Sequence, residues 1–472
     1  MRPHRRDLIA GSAAALAFTG LARHVRAQTP AAPVEETYVN QAHGYGPLLP
    51  DPNGLFDLPE GFTYQVISQG GETMDDGLLV PGQFDGMGCF PLEGSRVALV
   101  RNHELTPKSL THANWGPGGM HQERLHLLDA SKAYDTYKDG RPLPGGTTTL
   151  IYDLETRQTV RQHLSLAGTA TNCCGGQTPW GSWLTCEETE ATPDTHNVSR
   201  EHGYVFEVPA NATGLVDPVP LKAMGRFDHE AVCIDPRTGI VYLTEDRTDG
   251  LFYRFIPNTP GKLVEGGRLQ ALGFKDTPGA DSSNNETRLW SVGDWREAVW
   301  FDLDDVESPN GDLRARGRAA GAAIFNGGEG IHFGDNEIYL TAKSGGPIKR
   351  GQILRYVPPA RETADGRARR PGRIQLFLES TDERTMNMGD NLTVAPWGHL
   401  IVCEDTYSEV SRNHLKGVTP DGRVYAIGRN VFHGNSELCG CVLSPDAGVL
   451  FVNIQYPGIT LAIRGPWTSV RT

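Results

Sequence analysis

Short apolar segments of about five residues, arranged in pairs around a turn, are the main repeating pattern of the sequence. The clearest pair lies in residues 226–247, RFDHEAVCIDPRTGIVYLTEDR, on either side of the turn at residues 235–239. Its proline fixes a φ that suits a turn and its glycine accepts a positive φ, so the pattern predicts a β-hairpin. Glu230 precedes the turn, and Glu245 and Asp246 follow it. A hairpin brings its two ends together, so these acids are expected at one end.

The same unit recurs along the chain, each time with acids or amides near its ends. The units cover residues 85–104, 172–188, 226–247, 328–346, 390–405 and 435–455. Six such units at irregular spacing predict an all-β fold, namely a six-bladed β-propeller with loop insertions. The innermost strands of a propeller run in one direction. Residues at equivalent strand ends should therefore gather at one mouth of the central channel.

Composition and charge restrict the class of protein. Glycine (56 residues) and proline (32 residues) make up nearly a fifth of the 472 residues without a collagen-like period, which favours short strands joined by turns. The formal charge of −13 argues against nucleic acid or an anionic membrane as a partner, because such binding requires a basic surface. We expect a monomer that acts on a small-molecule substrate.

The first 27 residues are typical of an export signal. Arg5 and Arg6 precede an apolar run that extends to Leu21, and small residues end the segment at Ala27. The arginine pair predicts a twin-arginine signal, and hence a periplasmic or secreted protein. The polar, proline-rich residues 28–59 are predicted as an N-terminal arm, and residues 60–472 as a single propeller domain.

The eight cysteines favour buried thiols over a disulfide framework. Cys186, Cys233 and Cys403 lie within apolar strand patterns, where a thiol packs as a small apolar group. No pair has the CxxC spacing of a zinc site.

The acids and amides near the hairpin ends form one candidate metal site. Those before the hairpins are Asp85, Asn172, Glu230, Glu329, Asn391 and Glu437, and those after them are Glu104, Glu187, Glu245 or Asp246, and Glu404. Carboxylates gathered at one mouth repel and raise one another's pKa, so the set makes physical sense with bound cations. Ca²⁺ takes six to eight oxygen ligands, and this set is large enough for more than one ion. For each acid taken singly, capping a turn or pairing with a nearby arginine is the competing interpretation.

Two basic residues stand beside these acids. Arg247 directly follows Glu245 and Asp246, and Lys343 takes the place of an acid in the fourth unit. Arginine can bind a phosphate through two hydrogen bonds, and lysine can neutralise charge on a transferred group, so both are candidate catalytic residues. A purely structural counter-ion is the alternative for each.

Several longer motifs resemble a known family. They are NHE at 102–104, NCCGGQTPWGSWLTCEE at 172–188, RFDHEA and LTEDR within 226–247, GGEGIHF at 327–333 and DNLTVAPWGHLIVCED at 390–405. Together with the twin-arginine leader, they closely resemble the PhoX family of secreted bacterial alkaline phosphatases. The resemblance implies a six-bladed propeller that uses several calcium ions together with ferric iron to hydrolyse phosphomonoesters. By motif, the metal site would draw on Asp85, Glu104, Glu187, Glu230, Asp246, Glu329, Asp390, Asn391 and Glu404.

The chain departs from that family in length and in one cysteine. The better-known members are longer, and they place a cysteine thiolate on iron. Here Phe84 precedes Asp85, and Cys89 follows Asp85 by four residues. Ferric iron in an oxygen-rich site requires that thiolate or another hard ligand in its place, so a site with calcium alone or with different metals stays open.

Three functions are compatible with this pattern. The leading hypothesis is a metal-dependent phosphatase in which clustered cations polarise the phosphoryl oxygens. A calcium-dependent propeller lactonase or esterase is the second, although it requires fewer ligands than the chain offers. The third is a non-catalytic propeller with a structural ion in its channel, which the basic residues beside the acids disfavour.

Overall fold

The computed structural model describes residues 37–107, 116–119, 122–407, 412–433 and 436–471. The chain divides into the units Met1–Thr37 and Tyr38–Thr472, and the architecture below is that of the second unit. The predicted signal at 1–27 and residues 28–36 of the predicted arm lie outside the described residues. Within the described part of the chain, we find no helix with the length and apolar character needed to cross a membrane.

Antiparallel strands form almost all of the regular structure. The N-terminal strands are β1 (Leu48–Leu49), β2 (Phe56–Pro59) and β3 (Thr63–Gln69). A four-stranded sheet follows, with β4 (Phe84–Pro91), β5 (Arg96–His103), β6 (Gly145–Asp153) and β7 (Gln158–Thr169) in chain order. The next sheet has three strands, β8 (Asn172–Gln177), β9 (Ser182–Glu187) and β10 (Val205–Pro209).

The middle of the chain forms one nine-stranded sheet. Its first half is β11 (His229–Ile234), β12 (Val241–Glu245), β13 (Phe252–Pro257), β14 (Gly267–Phe274) and β15 (Trp295–Asp302). Its second half is β16 (Gly328–Phe333), β17 (Ile338–Ala342), β18 (Gln352–Val357) and β19 (Arg373–Glu379). The two halves join because β15 pairs with β14 on one side and with β19 on the other. The α-helix α1 (Leu313–Ala320) lies between them in sequence.

The last two sheets each include strands from the N-terminal part of the unit. One contains β20 (Gly389–Val394), β21 (Leu400–Glu404), β22 (His414–Val418) and β23 (Val424–Asn430), extended by β2 and β1. The other contains β24 (Leu438–Leu443), β25 (Val449–Ile454) and β26 (Ile459–Arg464), with β3 as its fourth strand. The described 3-10 helices are Leu125–Leu127, Ala130–Lys132, Lys222–Met224, Leu263–Glu265 and Trp467–Ser469.

The arrangement of the sheets is propeller-like, as the sequence predicts. The first strands of the recurring hairpins, β4, β8, β11, β16, β20 and β24, pack side by side in that order, and β24 packs against β4. The pairing of β3 with β26 joins the start of the unit to its end, since Gln69 lies opposite Ile459. Residues 37–59 of the predicted arm contribute β1 and β2 to the sheet of β20–β23.

The hairpin at 226–247 has the predicted form. β11 and β12 pair antiparallel with Ile234 opposite Val241. Asp235 accepts a hydrogen bond from the backbone N–H of Arg237, and Gly239 has φ +76°. Apolar side chains between the sheets, such as Tyr242 and Leu340, are fully buried. Burying one such side chain contributes about 1.5–3 kcal/mol, so packing between sheets, more than local strand propensity, stabilises the fold.

Candidate metal-dependent active site

A β-bulge near the start of each first strand positions the first set of side chains. The pairing register shifts between Phe84 and Met87, and equivalent shifts occur in β8, β11, β16, β20 and β24. A bulge places two residues opposite one and redirects a side chain. The first residues within these shifts are Asp85, Cys173, Glu230, Glu329, Asp390 and Gly440.

The end of each second strand positions a second set of side chains. The residues directly after β5, β9, β12, β17, β21 and β25 are Glu104, Glu188, Asp246, Lys343, Asp405 and Gln455. In an antiparallel hairpin, the end of the second strand lies beside the start of the first. The two sets therefore meet at the same end of the six hairpins.

Eight of these side chains, together with those of Glu437 and Cys439, form a closed series of overlapping groups among the described residues, which we call the acidic ring. In each group of three, one ligand atom per residue lies within 4.8 Å of the others. The groups are Asp85–Glu104–Cys173, Cys173–Glu188–Glu230, Glu230–Glu329–Asp390, Asp390–Asp405–Glu437 and Asp85–Glu437–Cys439. Each group shares a member with the next, and the last returns to Asp85. Carboxylate oxygens predominate, with two thiols.

Glu230 is the member whose surroundings point most directly to a cation. Its side chain is fully buried, and neither carboxylate oxygen has a hydrogen-bond partner among the described residues. Burial and the nearby carboxylates of Glu329 and Glu188 raise the pKa of Glu230 well above its usual value. A buried, unpartnered carboxylate is costly unless a cation binds to it. The donor set around Glu230 therefore fits a metal ion.

Six further acids of the ring have pKa values that are raised in the same direction. Burial raises the pKa of Glu104 to about 7 against the opposing effect of Lys343, and it does the same for Asp390. Burial and neighbouring carboxylates also raise the pKa values of Asp85, Glu188, Glu329 and Glu437 well above their usual values. Mutual repulsion in a desolvated cluster is the common cause.

Lys343 is a basic residue in direct contact with the acidic ring. Its Nζ lies 3.2 Å from an oxygen of Asp246 and 3.6 Å from one of Asp405, and it also pairs with Glu329. Although burial opposes the effect, these carboxylates raise the pKa of Lys343 well above its usual value. One lysine cannot neutralise this many acids, so most of the negative charge is left for other cations.

Arg247 lies beside the ring and is more exposed. About half of its side chain (47%) is accessible, and its Nε pairs with Asp228. A second carboxylate, that of Glu190, lies 3.9 Å from its Nη2. Asp228 itself is buried. The guanidinium is thus held at one side while retaining access to solvent at the mouth of the site.

Two predicted ligands, Glu187 and Glu404, have other contacts. Glu187 accepts hydrogen bonds from the backbone N–H groups of Ala170 and Gly203 and pairs with His202. Glu404 likewise accepts hydrogen bonds from the backbone N–H groups of Asn387 and His414. Neither acid belongs to a group of the ring, whereas the following residues, Glu188 and Asp405, do.

Asn391 supports a member of the ring. Its Nδ2 donates to Asp390 at 2.8 Å, and its Oδ1 accepts from the N–H of Gly440 at 2.7 Å. Of the predicted metal residues, Asp85, Glu104, Glu230, Glu329 and Asp390 belong to groups of the ring, and Asp246 joins it through Lys343.

Cys173 and Cys439 belong to the ring and Gln455 contacts it, but none of the three was predicted from the sequence as a site residue. Cys173 occupies the bulge position equivalent to Glu230, one residue beyond the predicted Asn172. Gln455 donates from Nε2 to Glu104 at 2.6 Å and to Glu437. The sequence does show which positions are equivalent among the repeats. Only the observed strand register shows which of two neighbouring residues faces the site.

Comparison with solved structures shows a fold shared with one of them, and two weaker matches are given with it. PhoX of Pseudomonas fluorescens in complex with vanadate, a transition state analogue, superimposes with a TM-score of 0.64 at 18% identity, over 91% of this chain and 98% of that one. A gluconolactonase from Xanthomonas campestris gives a TM-score of 0.37 at 11% identity, over 85% of this chain and 100% of that one. A putative 6-phosphogluconolactonase from Bacteroides fragilis gives 0.38 at 11%, over 86% and 89%.

The sequence comparisons identify the family. No curated protein matches the chain. The sequence model described as alkaline phosphatase PhoX matches residues 43–458, a span that contains every described member of the acidic ring. Because this match covers most of the sequence, the chain belongs to the alkaline phosphatase PhoX family and is a metal-dependent hydrolase of phosphomonoesters.

Proposed function

We propose that phosphomonoester hydrolysis takes place at the acidic ring, with several cations held among its carboxylates. The observation that carries this proposal is the closed series of ligand groups around Glu230, whose two carboxylate oxygens are buried and lack hydrogen-bond partners among the described residues. Cations bound there would polarise the phosphoryl oxygens and acidify water. The proposed ligands are Asp85, Glu104, Cys173, Glu188, Glu230, Glu329, Asp390, Asp405 and Glu437.

Calcium is the cation that the oxygen-rich part of the ring fits best. Hard carboxylate oxygens in large number favour Ca²⁺ over metals that prefer nitrogen or sulfur. Ferric iron is proposed for the part of the ring around Cys173, which belongs to two groups at once. A thiolate at this position would supply the anionic sulfur ligand that the sequence alone did not locate near Asp85.

Arg247 and Lys343 are proposed to act on the phosphate. The exposed guanidinium of Arg247 offers N–H donors to two phosphate oxygens, and Asp228 fixes its direction. Lys343 lies between Asp246, Glu329 and Asp405 and would place a positive charge beside a phosphate bound at the ring. Asp246 and Asn391 remain part of the proposal, with Asn391 orienting Asp390. Glu188 and Asp405 are proposed as ligands in place of the predicted Glu187 and Glu404, whose carboxylates accept hydrogen bonds from backbone N–H groups.

We also propose that the fold is a six-bladed propeller, in which β14, β15 and β19 bridge two blades. The cyclic packing of the six first strands and the pairing of β3 with β26 support this count. Export through the twin-arginine pathway is proposed from Arg5 and Arg6, and a monomeric, soluble state from the acidic composition.

The proposed site can be tested by removing and restoring metal. The purified mature protein is dialysed against EDTA until elemental analysis shows loss of metal, and hydrolysis of p-nitrophenyl phosphate is then measured. We expect activity to disappear and to return with Ca²⁺ or with Ca²⁺ and Fe³⁺ together, but not with Mg²⁺ alone, which prefers fewer protein ligands. Full activity in the metal-depleted protein would contradict the proposal.

A further inference from the structure

Two exposed tyrosines lie at the end of the molecule that carries the acidic ring. Tyr407 is 72% exposed and Tyr456 is 44% exposed. Single exposed apolar residues are ordinary on protein surfaces and require no explanation. The position of this pair sets it apart, since Tyr407 follows Asp405 by two residues and Tyr456 directly follows Gln455.

Glu437 connects the surroundings of the two tyrosines. Its carboxylate belongs to one group with Asp405 and accepts a hydrogen bond from Gln455. The hydroxyl of Tyr407 is hydrogen-bonded to Asp405, so its polar end is fixed while most of the residue remains accessible. The backbone N–H of Tyr456 donates to Ser436 Oγ at 2.8 Å, directly before Glu437. Each tyrosine therefore contacts a residue next to Glu437, Tyr407 through Asp405 and Tyr456 through Ser436.

The basic residues and the tyrosines occupy neighbouring parts of the mouth. Arg247 follows β12 and Lys343 follows β17, whereas Tyr407 follows β21 and Tyr456 follows β25. The corresponding first strands, β11, β16, β20 and β24, are consecutive neighbours. A phosphate bound by the two basic residues would thus lie next to the hairpins that carry the tyrosines. One direction open to its ester group leads to these two rings.

We propose that Tyr407 and Tyr456 form a subsite for an aromatic ring in the leaving group, so that nucleoside monophosphates are preferred over sugar phosphates. This inference rests on the proposed location of phosphate hydrolysis. Acidic side chains offer little attraction to an uncharged leaving group, whereas an accessible aromatic face stacks on a base. The anchored hydroxyl of Tyr407 limits the freedom that the ring would lose on binding.

The experiment compares two substrates in which phosphate leaves from the equivalent primary oxygen of a ribose. Adenosine 5′-monophosphate and ribose 5-phosphate differ by the base, so their ratio of kcat/KM reports recognition of the ring and not the chemical step. The fully metallated wild type is compared with Tyr407→Ala, Tyr407→Phe and Tyr456→Ala. Trp180→Ala is the matched control, because Trp180 is another exposed aromatic residue in the turn between β8 and β9, at the opposite end from Glu188.

We expect the ratio to fall about tenfold in Tyr407→Ala, as for the loss of one stacked base, and by a smaller factor in Tyr456→Ala. Tyr407→Phe keeps the ring and should keep the ratio, and Trp180→Ala should leave it unchanged. An equal loss for both substrates in Tyr407→Ala would overturn the inference, since it would indicate disturbance of Asp405. A Phe variant as impaired as the Ala variant would also overturn it. If the wild type hydrolysed none of the three compounds, namely the two substrates and p-nitrophenyl phosphate, the result would instead contradict the proposed function.

Discussion

Among single residues, Glu230 gives the sharpest test of cation binding, because its buried carboxylate lacks hydrogen-bond partners among the described residues. Glu230→Gln keeps the volume and removes the charge. We expect loss of bound metal and of p-nitrophenyl phosphate hydrolysis with an unchanged circular dichroism spectrum. In EDTA at alkaline pH, the same variant should be more stable than the wild type by about 1–3 kcal/mol, since it removes a buried, unpaired charge. A variant that retains metal and activity would argue against a ligand role.

Arg247 should behave differently from a metal ligand. Arg247→Ala removes a charge-assisted contact to phosphate, so kcat/KM should fall by about 10- to 100-fold while metal content stays at the wild-type level. Asp228→Asn should produce a smaller loss in the same direction, because it releases the guanidinium from its partner. Arg268→Ala, which breaks an exposed pair with Asp302, is the matched control and should have little effect. Loss of metal in Arg247→Ala would show that the residue maintains the ring instead.

The sequence identified the acids of the site to within one residue in several places. It predicts Glu187 and Glu404, whereas Glu188 and Asp405 face the ring. Strand alternation assigns neighbouring residues to opposite sides, but the absolute assignment depends on where the strand ends and where a bulge interrupts it. That information comes from long-range pairing. Cys173 was not predicted for the same reason. The bulge in β8 places Cys173, and not the preceding Asn172, at the position equivalent to Glu230.

At the level of strands, the bulges bring neighbouring first strands into close contact. Gly440 lies in the bulge of β24 with φ +61°, and a Cβ there would approach the carbonyl oxygen of Asp85 to 2.5 Å. Gly440→Ala should therefore displace Asp85 and reduce both stability and metal content. Gly94→Ala is a matched control, because its φ is +71° and nothing lies within 4 Å of its added Cβ.

The two glycine variants share the cost of a positive φ, about 1 kcal/mol for a residue other than glycine. Thermal unfolding should show a larger loss for Gly440→Ala, and elemental analysis should show reduced metal in that variant alone. Equal effects of the two substitutions would mean that the contact between β24 and β4 does not position the ligands.

The hairpins were predictable from sequence, but their assembly into sheets was less so. Each hairpin is encoded locally by apolar alternation around a turn, as in β11 and β12. The pairing of β15 with β19, and of β2 with β23, joins segments distant in sequence, with Trp295 opposite Gln375 and Phe56 opposite Asn430. No local pattern specifies such partners, so the sequence predicts residues 28–59 only as an N-terminal arm.

For the whole molecule, the proposed binding of metal at the acidic ring should couple metal binding to stability and pH. Without metal, the pKa values of Glu104 and Asp390 are about 7, well above those of an unfolded chain. The folded state then binds more protons than the unfolded state, so this contribution to stability is fully present below about pH 4 and is lost as the pH rises through 7. In EDTA, the melting temperature should fall between pH 5 and pH 8.

Cations should oppose this loss, because they favour the ionised carboxylates. The stabilisation by Ca²⁺, measured as the difference in melting temperature between Ca²⁺ and EDTA, should therefore be larger at pH 8 than at pH 5. Thermal scans at both pH values with both additions make the comparison, with Mg²⁺ as a control for ionic strength. A melting temperature in EDTA that does not change between the two pH values would contradict the electrostatic description of the ring.

The most direct test of a multi-cation active site is the metal content of the purified, active wild type. Elemental analysis on a protein of known concentration gives the number of each metal per chain, and p-nitrophenyl phosphate hydrolysis by the same sample relates that number to activity. We predict more than one tightly bound cation per chain, with calcium predominant, and activity that falls in proportion as these cations are withdrawn. An active protein with one cation or none per chain would contradict a multi-cation active site.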